Sequence, residues 1–232
     1  MKKPGLSKLE EQKLLKRLHK QDYQKLYLIF TEGTKTEPYY FEGFKAAIEK
    51  SGRKDVLIEI VGVGEATTKL LPFAQEFVEK YAIEKAEIWL VTDKDDFPDS
   101  QFNDLVKKCD KRNKQVAYQN YWHCAWSNEC FELWFILHFS FYQAAVSRQE
   151  YFRMLKEIFA KRKIGEYKKN DPQIFSKLCE YGDPRLAISY AQKLYEEKKA
   201  LIPSKAIPCT SVYQLVKELA RYLPENLKTR FF

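Results

Sequence analysis

Two hydrophobic periods alternate along the first 140 or so residues. Residues 26–30 form a compact apolar run that stops at Thr31-Glu32-Gly33. Residues 56–63 are rich in β-branched side chains and close on Gly62 and Gly64. A third run, 86–92, ends at Asp93-Lys94-Asp95-Asp96. Short apolar runs of this kind predict buried strands. Between them, helical spacing predicts helices over about 36–50, 67–81 and 101–112, and 115–118 reads as a short fourth strand. Strict strand–helix alternation predicts an α/β fold with a mostly parallel sheet flanked by helices. From Ser127 the pattern turns helical. Ser127 is a good N-cap for a helix through Phe139, and further helices are expected over about 148–162, 183–199 and 210–222. Pro172, Pro184, Pro203 and Pro208 punctuate the turns. At the other end, Leu6, Leu9, Leu14, Leu15 and Leu18 give a partial stripe. The organisation expected is a solvated basic helix or arm (1–24), an α/β unit (25–140) and a helical portion (141–232) packed on it.

Composition narrows the class. Of 232 residues, 45% are hydrophobic and 15% aromatic, enough to bury a core. The longest apolar stretch, 131–139, is broken by Glu132 and His138 and falls short of the roughly 18 residues of a membrane span. The opening Met-Lys-Lys-Pro-Gly-Leu, followed by charges, reads as no signal peptide. Five irregularly spaced cysteines argue against a disulfide framework and for a reducing cytoplasm. His123, Cys124 and Cys130, with His138 beyond, invite a zinc reading. Their spacing matches no standard finger, and core packing explains them better. Forty Lys and Arg against 32 acidic residues leave a net charge of +8, which favours polyanionic partners such as RNA or DNA.

The candidate chemistry lies at strand ends, where α/β folds collect their sites. Glu32 ends the first strand, and a carboxylate there needs a partner. Gly33 permits a tight turn or close approach to a ligand. Thr34 with Glu37 fits a capping box, whereas Thr36 with Pro38 fits a later helix start. Asp93 and Asp95, two apart on an extended chain, point to one side. Two such carboxylates repel unless a cation lies between them, and oxygen ligands suit Mg²⁺ or Mn²⁺. The plain alternative is a solvated acidic turn. On the helix expected from Ser127, Glu132 shares its face with Phe135, Ile136 and Phe139, and Asn128 lies one turn before it. Glu132 should therefore be buried, and paired or metal-linked. His138 reads first as a core histidine, with a phosphate or base role as the alternative. Lys35 and Lys94 flank the carboxylates and could neutralise phosphate.

Together these blocks resemble the RloB-like family, a Toprim-type group linked to bacterial defence. The resemblance rests on the stretch 30–41, on Asp93-Lys94-Asp95 and on 127–139, with 210–216 less close, and spans about 25–219. It implies that Glu32 is the acid/base or metal glutamate and that Asp93 and Asp95 are the metal aspartates of a Mg²⁺-dependent phosphodiester chemistry. No topoisomerase-type tyrosine arrangement or primase zinc module is visible, which favours a nuclease. A defence nuclease also implies a trigger or regulatory protein partner. The competing expectations are a non-catalytic binding module, with aromatics around 118–126 stacking on bases, and an enzyme of free nucleotides.

Overall fold

The computed structural model describes residues 7–18, 23–64, 67–112 and 120–232. Helix α1 (Lys8–Leu18) precedes the alternation β1 (Lys25–Thr31), α2 (Thr36–Lys50), β2 (Val56–Gly62), α3 (Thr67–Lys80), β3 (Ala86–Asp93), α4 (Asp99–Arg112) and β4 (Tyr121–Asn128). There follow α5 (Glu132–Leu137), α6 (Arg148–Lys161), α7 (Ile174–Tyr181), α8 (Pro184–Lys198), the two-residue β5 (Cys209–Thr210), α9 (Val212–Ala220) and α10 (Glu225–Lys228). The sheet runs β2-β1-β3-β4-β5. Its first four strands are parallel and β5 is antiparallel to β4. The α/β sheet with flanking helices and a helical C-terminal part is therefore the fold.

Strand β1 is apolar throughout because both faces of the sheet are covered. Tyr27 and Ile29 face one core, which α2 shares with the C-terminal helices. Leu26, Leu28 and Phe30 face the other, under α3 and α4. The chain leaves β1 for β2 on one side, and β2 returns through α3 to β3 on the other. The carboxyl ends of β1 and β3 thus flank the point where the strand order reverses, the crevice in which such sheets take ligands.

Three expectations change. The fourth strand is Tyr121–Asn128, and the segment 115–118 lies outside the described residues. Ser127 and Asn128 close that strand rather than open a helix: they pair with Thr210 and Cys209 of β5, and the helix begins at Glu132. Asn128 is therefore not one turn before Glu132, and its amide donates to the carbonyls of Pro203 and Ser204. Finally, α1 is docked rather than solvated. Leu14 and Leu18 are buried in the α3–α4 core, and Arg17 pairs with Glu49 and Glu59. Leu6 lies outside the described residues. Among the described residues no helix is long and apolar enough to cross a membrane.

Candidate functional site

Hydrogen bonds between neighbouring strands set where the acids stand. The Glu32 amide donates to Val91 O at 3.0 Å, so the chain keeps to the sheet one residue past β1. Glu32 Oε2 then accepts from two hydroxyls, Thr67 at the start of α3 (2.8 Å) and Thr92 on β3 (2.7 Å). Asp93 is the last residue of β3, in register with Ser127. Glu37 lies in the first turn of α2 and Glu132 at the start of α5, and both are almost wholly buried.

Glu32, Glu37, Asp93 and Glu132 form one electrostatic group. Burial first, and then the charges of Glu132 and Glu32, raise the Glu37 carboxyl to about 7. Burial, then Glu37 and Glu132, push Asp93 well above the usual carboxylate range, against the pull of the Phe131 amide. Like charges out of water cannot all ionise without a counter-charge. Two protein cations reach the group's margin from the helical portion. Lys169 Nζ lies 3.2 Å from Glu132 Oε1, which also accepts weakly from the Tyr167 hydroxyl at 3.3 Å. Arg148 Nη1 lies 2.6 Å from Asp95 Oδ2.

Asp95 thus stands apart from the reading that spacing suggested. The strand ends at Asp93, and Asp95 has φ +39°, a left-handed conformation that Asp tolerates better than most residues. Strand alternation no longer aims its side chain, and Arg148 holds it. The loop's shape is fixed by Lys94, whose ammonium donates to Phe97 O at 2.6 Å and pairs with Asp99 at 3.2 Å.

The helix after Glu32 takes the later of the two starts read from the sequence, at Thr36 with Pro38 in its first turn, and the capping box does not form. Lys35 is the N-cap, without a side-chain cap bond, and Glu37 folds back so that its own amide and that of Gly33 donate to its carboxylate. Gly33 makes the space: a Cβ there would sit 2.4 Å from Glu37 Oε2. Gly62 likewise lets the 33–34 backbone pass, since its Cβ would meet Thr34 Cα at 3.0 Å. The dipole at this helix end is answered by Glu37 itself.

The donor set suits a hard divalent cation, being oxygen throughout. Asp93 Oδ1 and Asp95 Oδ1 are buried with no hydrogen-bond partner, which is the condition a cation would relieve. As the side chains lie, no three acidic, histidine or cysteine groups among the described residues converge at ligand spacing.

A family model described as RloB-like protein matches residues 27–219. The chain belongs to the RloB-like family. No curated protein and no solved structure matches it. The matched region of this RloB-like chain takes in all four clustered acids, Asp95 and both reaching cations.

The remaining candidates are dispersed. Lys35 is exposed on the loop after β1. His123 stacks on Trp89 and bonds Glu87 at 2.8 Å, Cys124 lies beside Cys109, and Cys130 sits in the opposite core. The zinc grouping is therefore not assembled. Trp122 and Trp126 are core residues, and Tyr121 is exposed. Tyr118 lies outside the described residues.

His138 is buried, its Nδ1–H donating to Trp134 O at 2.9 Å. Burial lowers its pKa to about 4. Its unfolded-state value is near 6.5, so the unfolded chain binds the extra proton and stability is lost as pH falls from 6.5 towards 4. The stability advantage of the parent protein over His138→Gln should shrink by about 3 kcal/mol between pH 7 and pH 4. Urea unfolding of the two proteins across that range checks it, and a constant difference would remove the buried-neutral assignment.

In the sequence Glu37 reads only as a cap, and Arg148, Tyr167 and Lys169 are not singled out. Glu37 had a signal: it heads the stripe Glu37, Tyr40/Phe41, Phe44, Ile48 on the buried face of α2. The other three lie on or beside helices of the C-terminal part, with no local pattern that points to the strand ends.

Proposed function

We propose that this RloB-like protein is a Toprim-type, metal-dependent nuclease that hydrolyses phosphodiester bonds of RNA or DNA, serving in defence against phage. The observation that carries the reading is the meeting of Glu32, Glu37, Asp93 and Glu132 at the β1–β3 switch point of a chain with net charge +8. Such a group of desolvated carboxylates is unfavourable without a cation or a proton to share. Glu32 and Asp93, with Asp95 through the Oδ1 that Arg148 leaves without a partner, would hold Mg²⁺ or Mn²⁺, which when bound polarises the scissile phosphate and acidifies water.

The chain's own residues supply the rest. Thr67 and Thr92 fix Glu32 through Oε2, leaving Oε1 to take a proton from attacking water. Glu37 and Glu132, buried in the same group, add negative charge there once a cation relieves their mutual repulsion. Lys35, exposed at the mouth, meets substrate phosphate. Lys94 shapes the loop that presents Asp93 and Asp95.

A second reading, a binding module without catalysis, draws on Arg148 and Lys169, which already neutralise Asp95 and Glu132 in part. One assay separates the two. Purified protein is incubated with total cellular RNA and plasmid DNA, with Mg²⁺ or Mn²⁺, with EDTA, and as Glu32→Gln. Cleavage that needs metal and falls at least about 100-fold in the variant establishes the nuclease. Retained polymer binding, with no cleavage and no response to EDTA, establishes the module.

A further inference from the structure

A second feature of the site lies outside the acids. Helices α3 and α4 leave the carboxyl ends of β2 and β3 side by side, and a groove of about 520 Å³ runs between them. Thr67 stands at its head, and the Thr67 hydroxyl is the one bonded to Glu32. The groove therefore ends one buried hydroxyl from Glu32. Leu71, Pro72 and Leu105 give its lining an apolar part. At the far end Lys108 and Lys111, both exposed, project from one side of α4 at a spacing of three. Asp104 is the acid in this lining, so the two lysines leave it net positive.

We propose that this groove is the track along which a single-stranded nucleic acid enters the site, with Lys108 and Lys111 gripping its backbone phosphates. The proposal rests on the nuclease reading and deepens it by naming the form of the substrate. A groove of about 520 Å³ is too small to seat a duplex, which leaves a single strand as its occupant. From Gln101 to Lys111 the groove extends about 15 Å at 1.5 Å per residue, room for a short run of nucleotides. Lysines at the distal end, with apolar side chains between them and Thr67, match what a strand presents: phosphates for the cations and base faces for the apolar surface. The arrangement also answers an electrostatic difficulty. A polyanion approaching four carboxylates is repelled, and anchoring it on cations one groove-length away holds the scissile bond there despite that repulsion.

The test is fluorescence anisotropy with short labelled single-stranded RNA and DNA, and with the matching duplexes, in EDTA so that no chemistry intervenes. The full-length protein is compared with Lys108→Glu/Lys111→Glu and with a charge-matched control, Lys54→Glu/Lys161→Glu, at exposed positions away from the groove. The groove variant should bind single strands about tenfold or more weakly. Losing two phosphate contacts should flatten the slope of log affinity against log salt by about 1.4. The control should stay within about twofold. Photocrosslinking of a thiouridine-bearing strand should label peptides containing 67–75 and 101–111. Equal loss in both variants, crosslinks elsewhere, or duplex binding as tight as single-strand binding overturns the track. If metal-dependent cleavage is established and the groove variant still binds like the parent, the nuclease reading stands and this inference alone falls. A parent protein that binds neither polymer overturns both.

Discussion

Replacing Asp93 by asparagine should abolish phosphodiester cleavage while making the metal-free protein harder to unfold. The two effects share one cause. Asp93 carries a carboxyl that burial and the charges of Glu37, Glu132 and Glu32 hold well above its ordinary pKa, and its Oδ1 is buried without a partner. Because the folded-state pKa is raised, the folded protein holds the proton longer than the unfolded chain, and stability falls as pH rises from the unfolded carboxylate range near 4 through the folded value. Asparagine keeps the shape and cannot ionise, so Asp93→Asn should gain about 1–2 kcal/mol in EDTA at pH 8.5 and less at pH 4.5. In Mg²⁺ the order reverses: the parent gains stability by mass action and the variant does not. On the proposed nuclease reading Asp93 is a metal ligand, and losing a ligand that carries several kcal/mol of transition-state stabilisation should slow cleavage by about 1,000-fold. Melting temperatures at the two pH values, with and without Mg²⁺, together with cleavage rates, decide the matter. A variant less stable than the parent in EDTA at pH 8.5 would show that the carboxyls do not repel as described.

Tyr40→Ala should cost about 3–5 kcal/mol, the range for removing a fully buried aromatic side chain. Tyr40 projects from α2 and is 1% exposed. Its ring meets Phe131, Trp134 and Phe135 around α5 and Phe175 of α7, at centroid distances of 5.9, 6.4, 5.6 and 5.9 Å, mostly edge-on. Edge-to-face packing of this kind adds to simple burial. The ring therefore joins the helix that carries Glu37 to the helices of the C-terminal part, and its loss should loosen Arg148 and Lys169 from the acids as well as lower stability. Urea unfolding is the measurement, with Tyr121→Ala as comparison: Tyr121 is 58% exposed and its removal should change stability by less than about 0.5 kcal/mol. A cost below about 1 kcal/mol for Tyr40→Ala would mean that the helical part docks by other contacts.

Much of this molecule is local in origin and was legible in the chain. The runs 26–30, 56–63 and 86–92 read as buried strands because both sheet faces are covered, and each lies within, or a residue beyond, the strand observed. Glu32 and Asp93 could be placed at strand ends because strand length is written in the apolar run. Glu132 could be expected to be buried because its neighbours at three and four residues are apolar. These are short-range patterns, and the backbone obeys them wherever no distant partner competes.

Distant partners decided the rest. Residues 127–128 carry a good helix-start signal, yet Ser127 and Asn128 extend β4, because β5, some eighty residues later, pairs with them and Thr210 meets the Ser127 hydroxyl at 3.0 Å. A local cap is worth about 1 kcal/mol, and here the strand pairing and side-chain bonds prevail. Spacing aligned Asp93 with Asp95, but a left-handed residue and an arginine from α6 draw Asp95 aside. Glu37, readable only as a cap, joins the acid cluster because Gly33 leaves room for its carboxylate and α5 brings Glu132 behind it. By itself, then, the sequence determined the strand–helix order and which carboxylates stand at strand ends. Only the tertiary structure decided which of them meet and which cations face them, because those choices belong to contacts between segments that no local period encodes.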